Sequence, residues 1–288
     1  MKSALHLSAA LCGSLLLLTS TAPAQSILRS SGDFALLAAT AITGTATAGT
    51  EIRNGDVGLW PTAATAITGF PPALIIGGSL ILTSPQTEQA QLDLHLASAG
   101  LAAMSFNTDL TGLDLGGRTL LPGVYRFDAA AAQSGPLILD AQGQNNAYWV
   151  FQIGTTLTTA AASSVSFINL GSNGGADDGL FWNIGSAASI GATNTLAGNY
   201  IVGTSMTIGN LSGGANRILA KTGAISLDVN FINATDGPGI SLSGLTGGLM
   251  FDTGGLIVPI PEPATTVLLS AIAILALAVC QRRTKSKQ

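Results

Sequence analysis

Apolar and polar positions along this chain alternate in short runs rather than long blocks. Between two apolar ends, runs such as Tyr148-Trp149-Val150-Phe151-Gln152-Ile153 are bounded by Gly and Asn, the pattern of short β-strands closed by turns. One segment breaks this rhythm. Ser84 suits a helix N-cap and Pro85 the first helical position, and few breakers follow as far as Phe106. Leu92, Leu96, Ala99 and Ala103 recur at three- and four-residue spacing, which predicts a helix over about 85–106 with these residues as its packing stripe.

The second half repeats. Gly185-Ser186-Ala187-Ala188-Ser189-Ile190, Gly203-Thr204-Ser205-Met206-Thr207-Ile208 and Lys221-Thr222-Gly223-Ala224-Ile225-Ser226 each follow an apolar strand, and Ser186, Thr204 and Thr222 are 18 residues apart. An earlier turn of the same kind is Val150–Gly154 followed by Thr155–Thr159. Eighteen residues make three short strands and three corners, one coil of a triangular β-solenoid. Its coils stack at the ordinary ~4.8 Å interstrand distance, with small residues at crowded corners. The expected fold is therefore mainly β, a solenoid with one long helix packed alongside. A two-layer sandwich is the alternative, although it does not call for a fixed 18-residue period.

The ends read as processing segments. Lys2, an apolar stretch from Ala9 to Leu18 and Ala22-Pro23-Ala24 form a signal peptide over 1–24, cleaved after Ala24. At the other end, a proline-rich spacer precedes an apolar run from Ala264 to Cys280 and a tail with Arg282, Arg283, Lys285 and Lys287. Seventeen apolar residues lie near the lower limit for a transmembrane helix, and the basic tail would stay cytoplasmic. The expected organisation is a solenoid domain over 25–235, a Gly-rich terminal strand or linker over 236–258, and a sorting segment over 259–288 with its span at 264–280.

Removing the ends changes the composition. Only 9% of the chain is charged, against roughly a quarter in an average soluble domain. The exported part, 25–261, holds six basic and 14 acidic residues, a formal charge of −8. This excludes a nucleic-acid partner. Both cysteines, Cys12 and Cys280, fall in the ends, and His95 is the one histidine left. With one histidine and no cysteine, a zinc site, a Ser-His pair and a Cys-His pair are nearly excluded. The chain calls for no cofactor or metal and reads as a non-enzyme. His95 reads as a solvated or packing residue. Asp177-Asp178 read as a solvated turn, with a calcium loop as the lesser alternative.

The stronger constellation is polar but uncharged. If Leu157, Ala188 and Met206 point inward, strand alternation sends Thr156 and Thr158, Ala187 and Ser189, Ser205 and Thr207 outward. Thr40-Ala41-Ile42-Thr43 and Thr62-Ala63-Ala64-Thr65, continuing to Thr68, look similar. Stacked coils would turn these into a flat grid of hydroxyls and small side chains.

Two resemblances add to this. Pro261-Glu262-Pro263, the apolar run and the Arg-rich tail look like the PEP-CTERM sorting signal of Gram-negative bacteria. It implies processing by an exosortase-type enzyme and a cell surface rich in exopolysaccharide. The exported domain resembles the bacterial and fungal ice-binding family with a discontinuous right-handed β-helix. The resemblance is carried by Ser31-Gly32-Asp33-Phe34, Gly55-Asp56-Val57-Gly58, Thr68-Gly69-Phe70-Pro71-Pro72, Leu121-Pro122-Gly123-Val124-Tyr125, Ala197-Gly198-Asn199 and Lys221-Thr222-Gly223-Ala224. It implies a triangular solenoid flanked by a helix, and a flat face that adsorbs to the ice crystal surface. The family's quartets carry over onto Thr40 and Thr43, Thr62 and Thr65, Ser186 and Ser189, Thr204 and Thr207, and Thr222. Ser186 and Ser189 replace Thr, Ser205 takes a small-residue position, and Ile225 stands where Thr or Asn is expected. The first functional expectation is thus an exported ice-binding protein. The second is a surface or matrix adhesin of the exopolysaccharide, and the third a polysaccharide-active β-helix.

Overall fold

A computed structural model describes residues 26–235 and 245–261. The leader, Glu262, Pro263 and the 264–280 run lie outside the described residues. Among those described, no helix is long and apolar enough to cross a membrane.

The short apolar runs become parallel strands in three rows. One row runs Thr108–Asp109, Gly123–Phe127, Tyr148–Ile153, Gly179–Ile184, 199–202, 217–220, Phe34–Ala38, Asp56–Leu59 and Leu80–Leu82. A second runs Ala131–Gln133, Leu157–Thr159, Ala188–Ile190, Met206–Ile208, Ile225–Ser226, Ile42–Thr43 and Ile67–Thr68. The third joins Arg118–Leu120 to Leu74–Ile76 through the first halves of the long strands Thr195–Val202 and Gly213–Ala220. Pairing in all three rows is parallel, which overturns the antiparallel sandwich alternative.

Stacking order departs from sequence order. The two coils nearest the N-terminus sit beyond the coil that ends at Phe231–Asn233, with Phe34–Ala38 on Gly213–Ala220 and Glu51–Arg53 on Phe231–Asn233. The helix, Pro85–Ala103, then carries the chain back to Thr108–Asp109 at the other end of the row. Its 19 residues span about 28 Å. Ser84 and Thr87 close a capping box at its start.

The expected stripe on this helix is on the wrong side. Leu92 and Leu96 are 59% and 42% exposed, while Ala90, Leu94, Ala97 and Leu101 are buried against Phe34, Leu37, Val124, Val150, Phe181, Ile201 and Leu219 of the first row. Leucines occupy both faces, so spacing alone could not pick the packed one. The helix also ends at Ala103, not Phe106. Gln152 holds that end, its Nε2 donating to the Leu101 and Met104 carbonyls.

Inside the coils, Tyr125, Phe151, Trp182 and Tyr200 occupy one register position and stack at 5.6, 4.2 and 5.5 Å between centroids. Glycines allow the coils to approach at one corner. A Cβ on Gly203 would overlap the Gly185 carbonyl, and one on Gly185 would overlap that of Gly154. The next corner uses a polar device. Ala162, Thr193, Leu211 and Val229 adopt left-handed backbone, and each precedes a buried Ser163, Asn194, Ser212 or Asn230. These polar side chains bond along the stack, as in Asn194 N–H to Ser212 Oγ and Asn230 Nδ2 to the Ser212 carbonyl.

The 18-residue period holds from Trp182 through Tyr200 to Ile218 but not before. Phe151 pairs with Trp182, 31 positions on, because the corner between these coils carries a long loop. In that loop the solvated-turn reading fails for Asp178. Its side chain is fully buried, and Oδ1 accepts the Ala147 N–H at 2.9 Å. Asp177 is exposed and accepts from Asn173. Within the expected terminal strand or linker before Pro259, Leu249–Phe251 and Ile257–Pro259 pair as an antiparallel hairpin. Ile257 packs at Gly100 of the helix, where a Cβ would sit 2.7 Å from its Cδ1.

Candidate functional site

The second row of strands builds the candidate site. Each strand turns its first residue inward, buried in six of the seven and half-buried at Ile67, and the next outward, so the register aligns Ala132, Thr158, Ser189, Thr207, Ser226, Thr43 and Thr68 in one column. The rungs are ~4.8 Å apart. Thr158, Ser189, Thr207 and Thr68 are exposed, and Thr43 and Ser226 are half-buried with their hydroxyls 3.1 Å apart. Two positions back lies a column of small or slender residues, Thr156, Ala187, Ser205, Ala224 and Ala41, tied rung to rung by backbone bonds. Ser205 Oγ accepts the Ala224 N–H.

A third column stands at the corner where the chain enters the face. Ser186 N–H bonds to the Thr155 carbonyl and Thr204 N–H to that of Ser186, which aligns the three. Thr222 follows, its hydroxyl donating to the Gly203 carbonyl, and Thr40 N–H bonds to Gly223. Thr40, Thr204 and Thr222 are exposed. No acidic, basic or histidine side chain stands in the seven strands. Lys221, just before Thr222, is half-buried, and burial pushes its ammonium below the ordinary lysine range.

Two assignments from the sequence change. Thr62 and Thr65 are not the ends of a face quartet. Seven residues separate Leu59 from Ile67, against three between Ile184 and Ala188. The extra length forms a turn over Ala64–Ala66, and Thr62 turns its hydroxyl to the Ala39 carbonyl. The outward residue of this coil is Thr68. Likewise Ile225 is not a gap in the face. Val202 pairs with Ala220 and Met206 with Ile225, so four residues cross this corner instead of three. Gly223 absorbs the added residue, Ile225 points inward, and Ser226 takes the outward place. Counting 18 from Thr207 reached Ile225; alternation from the buried Ile225 would have reached Ser226.

Elsewhere, His95 is exposed on the helix. Arg217 is buried, donating to the Gly32 carbonyl at 2.9 Å and to Asn199 Oδ1 at 3.3 Å, and burial lowers its pKa to about 10. Among the described residues no three His, Cys, Asp or Glu side chains could share a metal ion.

A parallel stack with an uncharged face of hydroxyls and small side chains is matched at the level of sequence. Residues 36–233 match the family described as ice-binding-like. The chain belongs to the ice-binding-like family. A relative in Nostoc sp. (strain HG1), an ice-binding protein, is 40% identical over 212 residues, 72% of this chain and 74% of the relative. A solved ice-binding protein from the Antarctic ascomycete Antarctomyces psychrotrophicus superposes with a TM-score of 0.64 at 34% identity, covering 72% of this chain and 96% of its own. Another, from an Antarctic biological consortium, gives 0.65 at 32% identity over 75% and 93%. The family match spans both N-terminal coils and all the coils after the helix up to Asn233, so it includes every strand of the face.

Proposed function

We infer that this chain binds ice, as its family members do by name, and that the hydroxyl row is the surface that does so. The observation that carries the second part is the unbroken column from Ala132 to Thr68, in register over seven strands without a charged side chain. Rigid backbone bonds fix the hydroxyls and methyls, so water over them is ordered before ice arrives and merges with the lattice. Adsorbed molecules then pin the growing front, which inhibits both growth and recrystallisation. Thr158, Ser189, Thr207, Ser226, Thr43 and Thr68 supply the outer contacts. Thr156 and Ser205 supply the middle ones, and Thr40, Ser186, Thr204 and Thr222 the corner. The winding in this reading is right-handed and triangular, with the three rows of strands as its three sides. The chemistry is adsorption, with no reaction catalysed.

Ice binding places the working protein outside the cell. The signal peptide over 1–24 and the sorting motif Pro261-Glu262-Pro263 support export, a transient anchor at 264–280 and handling by an exosortase-type enzyme, with exopolysaccharide as the surrounding matrix. The test is the shape of single ice crystals and the thermal hysteresis of the purified protein. Faceted crystals with a measurable freezing gap are expected for the unmodified chain, and both are expected to vanish in Thr207→Tyr. Round, freely growing crystals from the unmodified chain would remove this reading.

A further inference from the structure

Beside the face, along the last turns of the helix, runs a groove of about 560 Å³. This is within the size range of small-ligand sites. Ser98 lines it from the helix, and Asn183, Gln152 and Lys221 from the first row and its corner; Phe106 and Arg126 stand at the same groove. Its corner wall is formed by Gly154 and Gly185, one residue before Thr155 and Ser186.

The charge in this groove is unbalanced. Arg126 is matched, its Nε 2.5 Å from Asp128 and its guanidinium 5.0 Å above the Phe106 ring. Lys221 is not. Its Nζ donates to Ser98 Oγ at 2.8 Å, and among the described residues no carboxylate lies within 4.0 Å. Ser98 Oγ in turn donates to Asn183 Oδ1, whose amide nitrogen bonds to the Ser98 carbonyl. The ammonium is thus held in place by a fixed hydroxyl-amide pair, with two of its three donors uncommitted. A half-buried cation without an anion is stabilised by a carboxylate arriving from outside. Around it are the Gln152 and Asn183 amides and the Ser98 hydroxyl, while Met104, Ile153 and the half-exposed Phe106 supply an apolar side, a mixed lining that suits a small ring bearing both hydroxyls and C–H faces.

We propose that this groove is a binding site for a sugar acid, with the ligand carboxylate on Lys221 and its ring lying toward Phe106. The site is separate from the hydroxyl row, so a ligand there need not touch ice. Its neighbour along the helix is a smaller recess that Lys221 also lines, together with Trp60, Glu88 and His95. Asp128 also lines the larger groove but is paired with Arg126, whereas Glu88 in the recess is in no ion pair among the described residues, so the anion is favoured in the larger groove.

The test is saturation-transfer NMR of the purified protein with D-glucuronate and with D-glucose, alongside amide shift mapping. Glucuronate is expected to bind, with glucose weaker by about tenfold, the usual worth of one charge-assisted bond. Shifts are expected at Gly154, Gly185 and Lys221. Lys221→Met keeps the aliphatic stem and is expected to lose glucuronate binding by a similar factor while ice shaping persists. Equal binding of the two sugars, no glucuronate signal, or shifts confined to other regions would overturn the proposal. So would undiminished binding by folded Lys221→Met. The shift map on the unmodified chain decides the matter even if that variant does not fold.

Discussion

Ser226 and Thr62 separate two ways of placing the hydroxyl columns. Counting residues puts Thr62 on the face and leaves a hole at Ile225. Strand register puts Ser226 there and turns Thr62 into a half-buried hydroxyl bonded to Ala39. Ser226→Tyr is therefore expected to abolish ice shaping as Thr207→Tyr does, with the melting temperature nearly unchanged. Thr62→Val should leave ice shaping intact and cost about 1 kcal/mol of stability for its lost bond. Crystal morphology and thermal melts of the two variants check both statements. Arg217 is a different kind of residue. It is buried far from the face and ties the coil it belongs to onto the N-terminal segment through Gly32. Arg217→Ala would strand that carbonyl and the Asn199 amide oxygen, costing about 3 kcal/mol. A denaturant midpoint measures it, and ice binding by the folded fraction should persist.

At the scale of elements, strands were legible wherever a single short apolar run sat between turn residues, as with Tyr148–Ile153. The helix start was legible too, because Ser84 and Pro85 act locally. Its packed face was not, because leucines at 92, 94, 96 and 101 fall on opposite sides and the partner surface decides between them. Leu94→Ala should therefore cost about 2–5 kcal/mol, while Leu92→Glu should cost almost nothing in a chemical melt. The polar corner was equally hidden. Ser163, Asn194, Ser212 and Asn230 look like loop residues in sequence and acquire their role only when stacked on one another. The left-handed residues before them carry strain that can be relieved. Leu211 is exposed with φ of 56°, and Leu211→Asn should stabilise the fold by about 1 kcal/mol, read as a rise in melting temperature.

For the whole molecule, what no local pattern announces is the order of the stack. The N-terminal coils pair with the coil ending at Asn233, about 180 positions away, and the helix Pro85–Ala103 carries the chain from them to the other end of the stack. The same stacking brings Thr43 to Ser226 and so completes the column from seven separate strands. Charge is kept off that column: the 14 acids and six bases of the exported part lie outside its seven strands. Ice shaping should then be flat with pH for as long as the fold survives. The acid limit is set elsewhere. Asp109 is held below the usual carboxylate range by its bonds from Thr111. Burial raises Asp114, but the N–H groups of Ser134 and Gly116 more than offset it and leave its pKa low. A carboxylate whose pKa is lower folded than unfolded contributes stability that is fully present above 3.8 and is lost as pH falls through the lowered value. Hysteresis measured from about pH 9 downward should thus hold level, then fall together with the circular-dichroism signal of the strands below pH 3.8, and not before it. A decline while the strands remain intact would mean that an ionisable group takes part in holding ice, which the composition of the face does not allow.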